Sequence, residues 1–167
     1  SSTTVTIDAL PSITGTTSAC VNGTTQLSGS GIPATNDAWS SSATGIATVS
    51  STGLVTGVAA GTATITYTDS FGCQSTTDVT INALPTITGT LTACVNGTSQ
   101  LTGSGVAASS NAWTSSANSI ATVSSSGLIT GFAAGTATIT YTNSNGCQTT
   151  ATVTINALPA ISGTLSA

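Results

Sequence analysis

The sequence repeats itself, and that constrains its fold more than any other feature. Residues 11–84 align with 85–158 without a gap, and 53 of the 74 positions are identical. Residues 47–68 return nearly unchanged as 121–142. A period this long belongs to a whole small domain and not to one turn of a solenoid, so whatever one copy folds into, the chain folds into twice. The ends keep the same register. Residues 5–10 match 79–84 and 153–158, and residues 159–167 match 85–93. The sequence therefore reads as two full copies, 11–84 and 85–158, flanked by the last strand of a preceding copy at 1–10 and the first strand of a following copy at 159–167. On this reading it is a window on a longer array.

A 74-residue unit buries only about 60% of the surface its unfolded chain exposes, so a staple or a neighbour should help it. Charge is almost absent. The chain has no Lys, Arg or His and four acids, Asp8, Asp37, Asp69 and Asp78, for a net charge of −4. Nucleic-acid binding is excluded, because neutralising phosphates takes cations. No segment approaches the roughly 18 apolar residues of a membrane helix. The alternating segments, about 5 to 8 residues long, are also shorter than the roughly 9 to 11 of a membrane-barrel strand, so membrane insertion is not expected. No signal peptide is present, and a secreted location rests on the cysteines and the composition.

The pattern predicts seven strands per unit. In the first they are 13–19, 25–30, 38–42, 46–50, 54–58, 62–68 and 73–82. Asn22-Gly23 suits the turn after the first, since both residues tolerate positive φ. Residues 62–68 are the clearest strand: Ala63, Ile65 and Tyr67 share one face and four threonines the other. In the second unit Asn143-Ser144-Asn145-Gly146 marks the last hairpin. No window has helical periodicity, so the expected fold is an all-β sandwich of antiparallel strands.

Three runs carry a more specific signal: Trp39-Ser40-Ser41-Ser42, Ile46-Ala47-Thr48-Val49, and Gly53-Leu54-Val55-Thr56-Gly57-Val58-Ala59-Ala60-Gly61-Thr62-Ala63-Thr64-Ile65. Together they resemble the core signature of bacterial group 2 immunoglobulin-like domains, and the second unit repeats them from Trp113 to Ile139. The flanking Cys20-Val21-Asn22-Gly23 and Gly72-Cys73 resemble repeats in the giant cell-surface adhesins of Bacteroidota, exported by the type IX system and linked to gliding. The resemblance implies tandem immunoglobulin-like sandwiches with an extracellular, structural and non-catalytic role. The cysteines depart from the general family pattern, which usually lacks them.

The four cysteines, Cys20, Cys73, Cys94 and Cys147, have no second Cys, His or acid at ligand spacing, so disulfides in an oxidising compartment are expected and a metal is not. With seven strands alternating in direction, Cys20 ends the first strand at one end of its unit and Cys73 begins the seventh at the other. That separation favours a bridge between repeats, Cys20 to Cys147, with Cys73 and Cys94 bonded to repeats beyond the window. The alternative is a staple inside each repeat, Cys20 to Cys73 and Cys94 to Cys147.

The acids read as solvated loop positions, because the second copy replaces Asp37 by Asn111, Asp69 by Asn143 and Asp78 by Thr152, while Asp8 corresponds to Asn82 and Asn156. Calcium at the joint would need charged oxygens that Asn82-Ala83-Leu84-Pro85 does not supply. A serine nucleophile would find no His or Lys to activate it. No cofactor is implied. Asn22-Gly23-Thr24 and Asn96-Gly97-Thr98 are formal glycosylation sequons. Trp39, Trp113, Tyr67 and Tyr141 are expected in the core, with sugar stacking by the tryptophans as the competing role.

The reading that joins these observations is a stalk or filament segment of an extracellular bacterial adhesin, whose partners are neighbouring repeats. A repeated module binding surface glycans is the alternative from another class. A third is a non-covalent filament subunit completed by strand exchange.

Overall fold

The computed structural model describes residues 8–160. Its chain divides between Ala83 and Leu84 into two compact units, each an all-β sandwich. The terminal strands expected at 1–10 and 159–167 fall largely outside the described residues, and within them Asp8, Ala9, Leu10, Pro159 and Ala160 belong to no strand.

In the first unit the strands are β1 (Ile13–Gly15), β2 (Ser18–Cys20), β3 (Thr24–Gly29), β4 (Trp39–Ser41), β5 (Ala47–Val49), β6 (Leu54–Gly57), β7 (Gly61–Thr68) and β8 (Gln74–Asn82). The second unit repeats them as β9 (Ile87–Gly89), β10 (Thr92–Cys94), β11 (Thr98–Gly103), β12 (Trp113–Ser115), β13 (Ala121–Val123), β14 (Leu128–Gly131), β15 (Gly135–Thr142) and β16 (Gln148–Asn156). One sheet of the first unit has the order β1-β3-β6-β5 and the other β2-β8-β7-β4. The second unit has the same two sheets in the order β9-β11-β14-β13 and β10-β16-β15-β12.

Each unit thus has eight strands where the pattern predicts seven. The difference lies in the first strand, which breaks and changes sheet. Gly15 has φ +126°, and a Cβ there would lie 2.3 Å from the Gln26 carbonyl oxygen. That backbone is open to glycine and closed to the other residues. Just past it, the Thr25 hydroxyl donates to the Thr16 carbonyl at 2.7 Å. The chain therefore leaves β3, its antiparallel partner, and continues as β2 beside β8. The β2–β8 pairing is parallel, so the sandwich is not wholly antiparallel. Gly89, at φ +123°, makes the same break in the second unit.

Alternation builds the core. On β7, Ala63, Ile65 and Tyr67 are buried, while Thr62 is exposed and Thr64, Thr66 and Thr68 are half-exposed. Leu27 and Val55 face them from the other sheet, and Val79 and Ile81 stand beside them on β8, all buried. Trp39 on β4 sits opposite Tyr67 in register, with ring centroids 4.7 Å apart and tilted by 46°. Trp113 and Tyr141 pair in the same way at 4.6 Å. Such a pair adds about 0.5–1.5 kcal/mol beyond the area it buries.

Every edge strand, β1, β5, β2 and β4, is three residues long, and so are their counterparts in the second unit. Proteins commonly guard sheet edges with lysines, which are absent here; short edges achieve the same end by offering few unpaired groups to another chain.

Tyr67 needs the missing side chain of Gly29, where a Cβ would meet the tyrosine ring at 2.5 Å. Gly29→Ala should destabilise the first unit by about 1–3 kcal/mol, the usual cost of overpacking. At Gly45 an added Cβ meets nothing within 4 Å and the second copy already carries Ser119, so Gly45→Ala should leave stability unchanged or raise it by up to about 1 kcal/mol. Urea unfolding measures both. A Gly29→Ala midpoint equal to the parent's would show that the ring can move aside.

Candidate functional site

The cysteines are positioned by the parallel strand pair. Cys20, the last residue of β2, stands beside Asn82, the last residue of β8, and Cys73 lies one residue before β8 begins. From Cys73 to Asn82 is nine residues of extended chain, or about 30 Å. A disulfide tolerates a Cα separation of no more than about 7 Å. Cys94 beside Asn156, with Cys147 one residue before β16, repeats the arrangement. Bridges within a repeat, Cys20 to Cys73 or Cys94 to Cys147, therefore do not fit either sandwich.

Cys73 and Cys94 carry free thiols. Partial burial, and then the carboxylates of Asp69 and Asp8, push the Cys73 thiol up from its ordinary value. Both effects disfavour the thiolate, the form that attacks disulfides and binds metals.

Asp69 departs from its expected place in solvent. It is 6% exposed, and its Oδ1 accepts hydrogen bonds from the backbone N–H groups of Phe71 and Cys73, both at 2.9 Å. Asn143 does the same for Asn145 and Cys147 at 3.1 and 3.0 Å. Asp and Asn both close such turns with a side-chain oxygen. The exchange of one for the other between copies was the sequence signal for this role, and it marks an acceptor where charge is dispensable. These turns set the backbone of Cys73 and Cys147.

The remaining acids are exposed. Asp78 accepts from the Thr64 hydroxyl at 2.7 Å on the face of β7 and β8. Asp37 takes a positive-φ turn position, φ +52°, as Asn111 does at +50°. Asp8 shares a cavity of about 260 Å³ with Asp69, Leu10, Ile32 and Phe71. Among the described residues no group of three His, Cys, Asp or Glu side chains is placed to hold a metal ion.

Trp39 and Tyr67 are only 9% and 2% exposed. Their faces are spent on each other and on the core, and they reach the wall of an open cleft beside Ser28, Gly31 and Thr52. Sugar stacking needs an open ring face, which this arrangement does not present. The sequon residues Asn22 and Thr24 are exposed at a tight turn, with φ +63° at Asn22 and the Gly23 N–H donating to the Cys20 carbonyl at 2.8 Å. Asn96 and Thr98 are likewise exposed.

Asn82 was not among the residues the pattern singled out. Its carbonyl accepts from the Val21 N–H at 3.0 Å, and its Nδ2 donates to the Ala19 carbonyl at 3.3 Å, tying β2 to β8. Its identity in both copies was the only available signal, and it is shared with 52 other positions, as the 53 identities show.

A family model described as bacterial Ig-like domain (group 2) matches residues 3–80 and 85–154. Among solved structures, the C-terminal 282-residue fragment of intimin, crystallised with the intimin-binding domain of the translocated intimin receptor, is similar over 89% of this chain, with 19% identity and a TM-score of 0.56. This chain covers 65% of that fragment, less than two thirds of its length. Domains 4 and 5 of the S-layer protein SbsC match over 90% of this chain and 98% of theirs, with 21% identity and a TM-score of 0.38. Murine CEACAM1b matches over 88% of this chain and 100% of its own, with 14% identity and a TM-score of 0.31. No curated protein matches the sequence.

Asp69→Ala would strand two backbone N–H groups at a buried turn, at a cost of about 1–3 kcal/mol. Asp69→Asn should be nearly neutral, because Asn143 already fills this role. Thermal unfolding of the two variants is the check, and equal losses for both would mean that the charge matters and not the acceptor.

Proposed function

Because the chain belongs to the bacterial Ig-like domain (group 2) family, we propose that it is a stalk or filament segment of an extracellular bacterial surface adhesin. The observation that carries this reading is where the chain enters and leaves each sandwich. β2 runs parallel to β8 with Cys20 alongside Asn82, so each unit is entered at the end opposite to the one by which it is left. Modules of this kind can be set end to end, each adding its length to a fibre. The faces turned to solvent are threonine-rich and almost without charge, which suits a spacer better than a recognition surface. The reading is non-enzymatic.

The repeat boundaries proposed are 11–84 and 85–158, with residues 1–10 and 159–167 completing neighbouring repeats. The adhesin context proposed is that of the Bacteroidota, with secretion to the cell surface. Across the joint we propose the bridge from Cys20 to Cys147. It is supported by the strand register, which holds Cys20 and Cys73 at opposite ends of the first repeat and Cys94 and Cys147 at opposite ends of the second. Cys73 and Cys94 would bond to repeats on either side. A single strand through Ala83, Leu84 and Pro85 is one point of attachment, even with Pro85 fixing a dihedral and restricting Leu84 before it. A second covalent link would stiffen the joint.

Two measurements test this. Electron micrographs of the native particle should show a thin beaded fibre, and a compact oligomer would overturn the stalk. Non-reducing digestion at aromatic residues cuts after Tyr67 and Tyr141, which separates the candidate partners. The expected product joins the peptides of Cys20 and Cys147, and a peptide joining Cys20 to Cys73 would refute the bridge.

A further inference from the structure

We infer that the pole by which the chain enters the first unit is a docking site for a lysine side chain of another protein. Leu10, Ile32 and Phe71 take its aliphatic stem, and the carboxylates of Asp8 and Asp69 take its ammonium. These five residues line one cavity of about 260 Å³. Pockets for drug-sized ligands run to about 300–1,000 Å³, so the space suits a single long side chain.

The pole is apolar and open. Leu10, Ile32 and Phe71 are 75%, 71% and 70% exposed, which sets this end apart from the threonine-rich sheet faces. Its walls are fixed by the backbone. The Ser70 N–H donates to the Ile32 carbonyl at 2.8 Å, tying the loop of Ile32 to the turn of Phe71. Ser12 and Ser30 hold the entering segment: the Ser12 N–H donates to the Ser30 hydroxyl at 2.8 Å, and the Ser30 N–H to the Ser12 carbonyl at 2.9 Å. A site already in shape avoids part of the ordering cost of binding.

Charge decides the occupant. Asp69 is only 6% exposed; its Oδ1 is taken by the Phe71 and Cys73 N–H groups, and among the described residues its Oδ2 accepts no hydrogen bond. No buried side-chain oxygen among them lacks a partner, so Oδ2 opens into the cavity that Asp69 lines. Asp8 brings a second carboxylate to the same cavity, and both act on the Cys73 thiol nearby. A buried carboxylate calls for a counter-charge, and the chain has no Lys, Arg or His to supply one. The cation must come from another molecule. One free oxygen on Asp69 suits a compact ammonium, which binds as a point charge, better than a guanidinium, whose fork asks for a pair. The exposed Phe71 ring adds a face that attracts cations. The second unit keeps the scaffold: the Ser144 N–H donates to the Val106 carbonyl at 2.7 Å, and Asn143 closes the same turn. There, however, Asn82, Asn143 and Asn145 stand in place of Asp8, Asp69 and Phe71.

The second unit, with neither acids nor ring at this pole, is an internal control. The full chain, isotopically labelled for NMR, is titrated with Nα-acetyl-lysine N-methylamide while its amide resonances are followed. Saturable shifts are expected at residues 30–32 and 69–73 and not at 104–106 and 143–147. The dissociation constant should be millimolar, as suits so small a ligand, and should weaken several-fold when salt screens the charges. The norleucine counterpart keeps the stem without the charge and should bind several-fold more weakly. Phe71→Asn and Asp8→Asn install the second unit's residues at exposed positions. Each should weaken binding several-fold and leave the thermal midpoint where it was. The inference is overturned by the absence of saturable shifts, by equal shifts at the second unit's pole, by equal binding of lysine and norleucine, or by parent-like binding in the Phe71→Asn, Asp8→Asn double variant. Tighter binding of the arginine counterpart would overturn the choice of lysine. None of these outcomes bears on the stalk reading, which the micrographs test.

Discussion

Burial of one face of β7 is the interaction on which the rest of each sandwich depends. Ala63, Ile65 and Tyr67 meet Leu27, Val55, Val79 and Ile81 from both sheets, and Trp39 closes the layer by packing on Tyr67. Each fully buried Leu, Ile or Val contributes about 1.5–3 kcal/mol relative to exposure. For a unit of this size such contacts make up much of the stability, since small domains rest on a margin of a few kcal/mol. The glycines serve the same layer. Gly29 lets the tyrosine ring lie against backbone, and Gly15 allows the first strand to cross from one sheet to the other above it.

Around this core, most polar groups find neutral partners. The Ser41 hydroxyl donates to the Ala47 carbonyl at 2.7 Å, and Ser50 accepts from the N–H groups of Thr52 and Leu54 at 3.2 and 3.1 Å. Gln26 sends its amide to the carbonyls of Leu27 and Thr52 at 2.7 and 2.8 Å. Among the described residues no buried side-chain nitrogen or oxygen lacks a partner. With no Lys, Arg or His in the chain, side-chain ion pairs contribute nothing, and stability does not depend on interactions that salt would screen.

The placement of the cysteines follows from one topological event. Once β2 lies parallel to β8, Cys20 and Cys73 are held at opposite ends of a sandwich.

Sequence alone carried the internal repeat, the strands and the identity of the core. The reason is local: the alternation along residues 62–68 states which side chains share a face, and a 74-residue period states that the unit is built twice. The tertiary structure decided what depends on pairing between distant segments. The first strand reads as one continuous segment, and only the approach of β3 on one side and β8 on the other shows that it must break at Gly15. Asp69 reads as a solvated acid, and only the fold of the turn reveals two backbone N–H groups waiting for its oxygen. The end-to-end separation of Cys20 and Cys73 was legible from strand direction. Its scale, the nine residues of chain between Cys73 and Asn82, needed the register of two strands more than 50 residues apart, as Cys20 beside Asn82 shows.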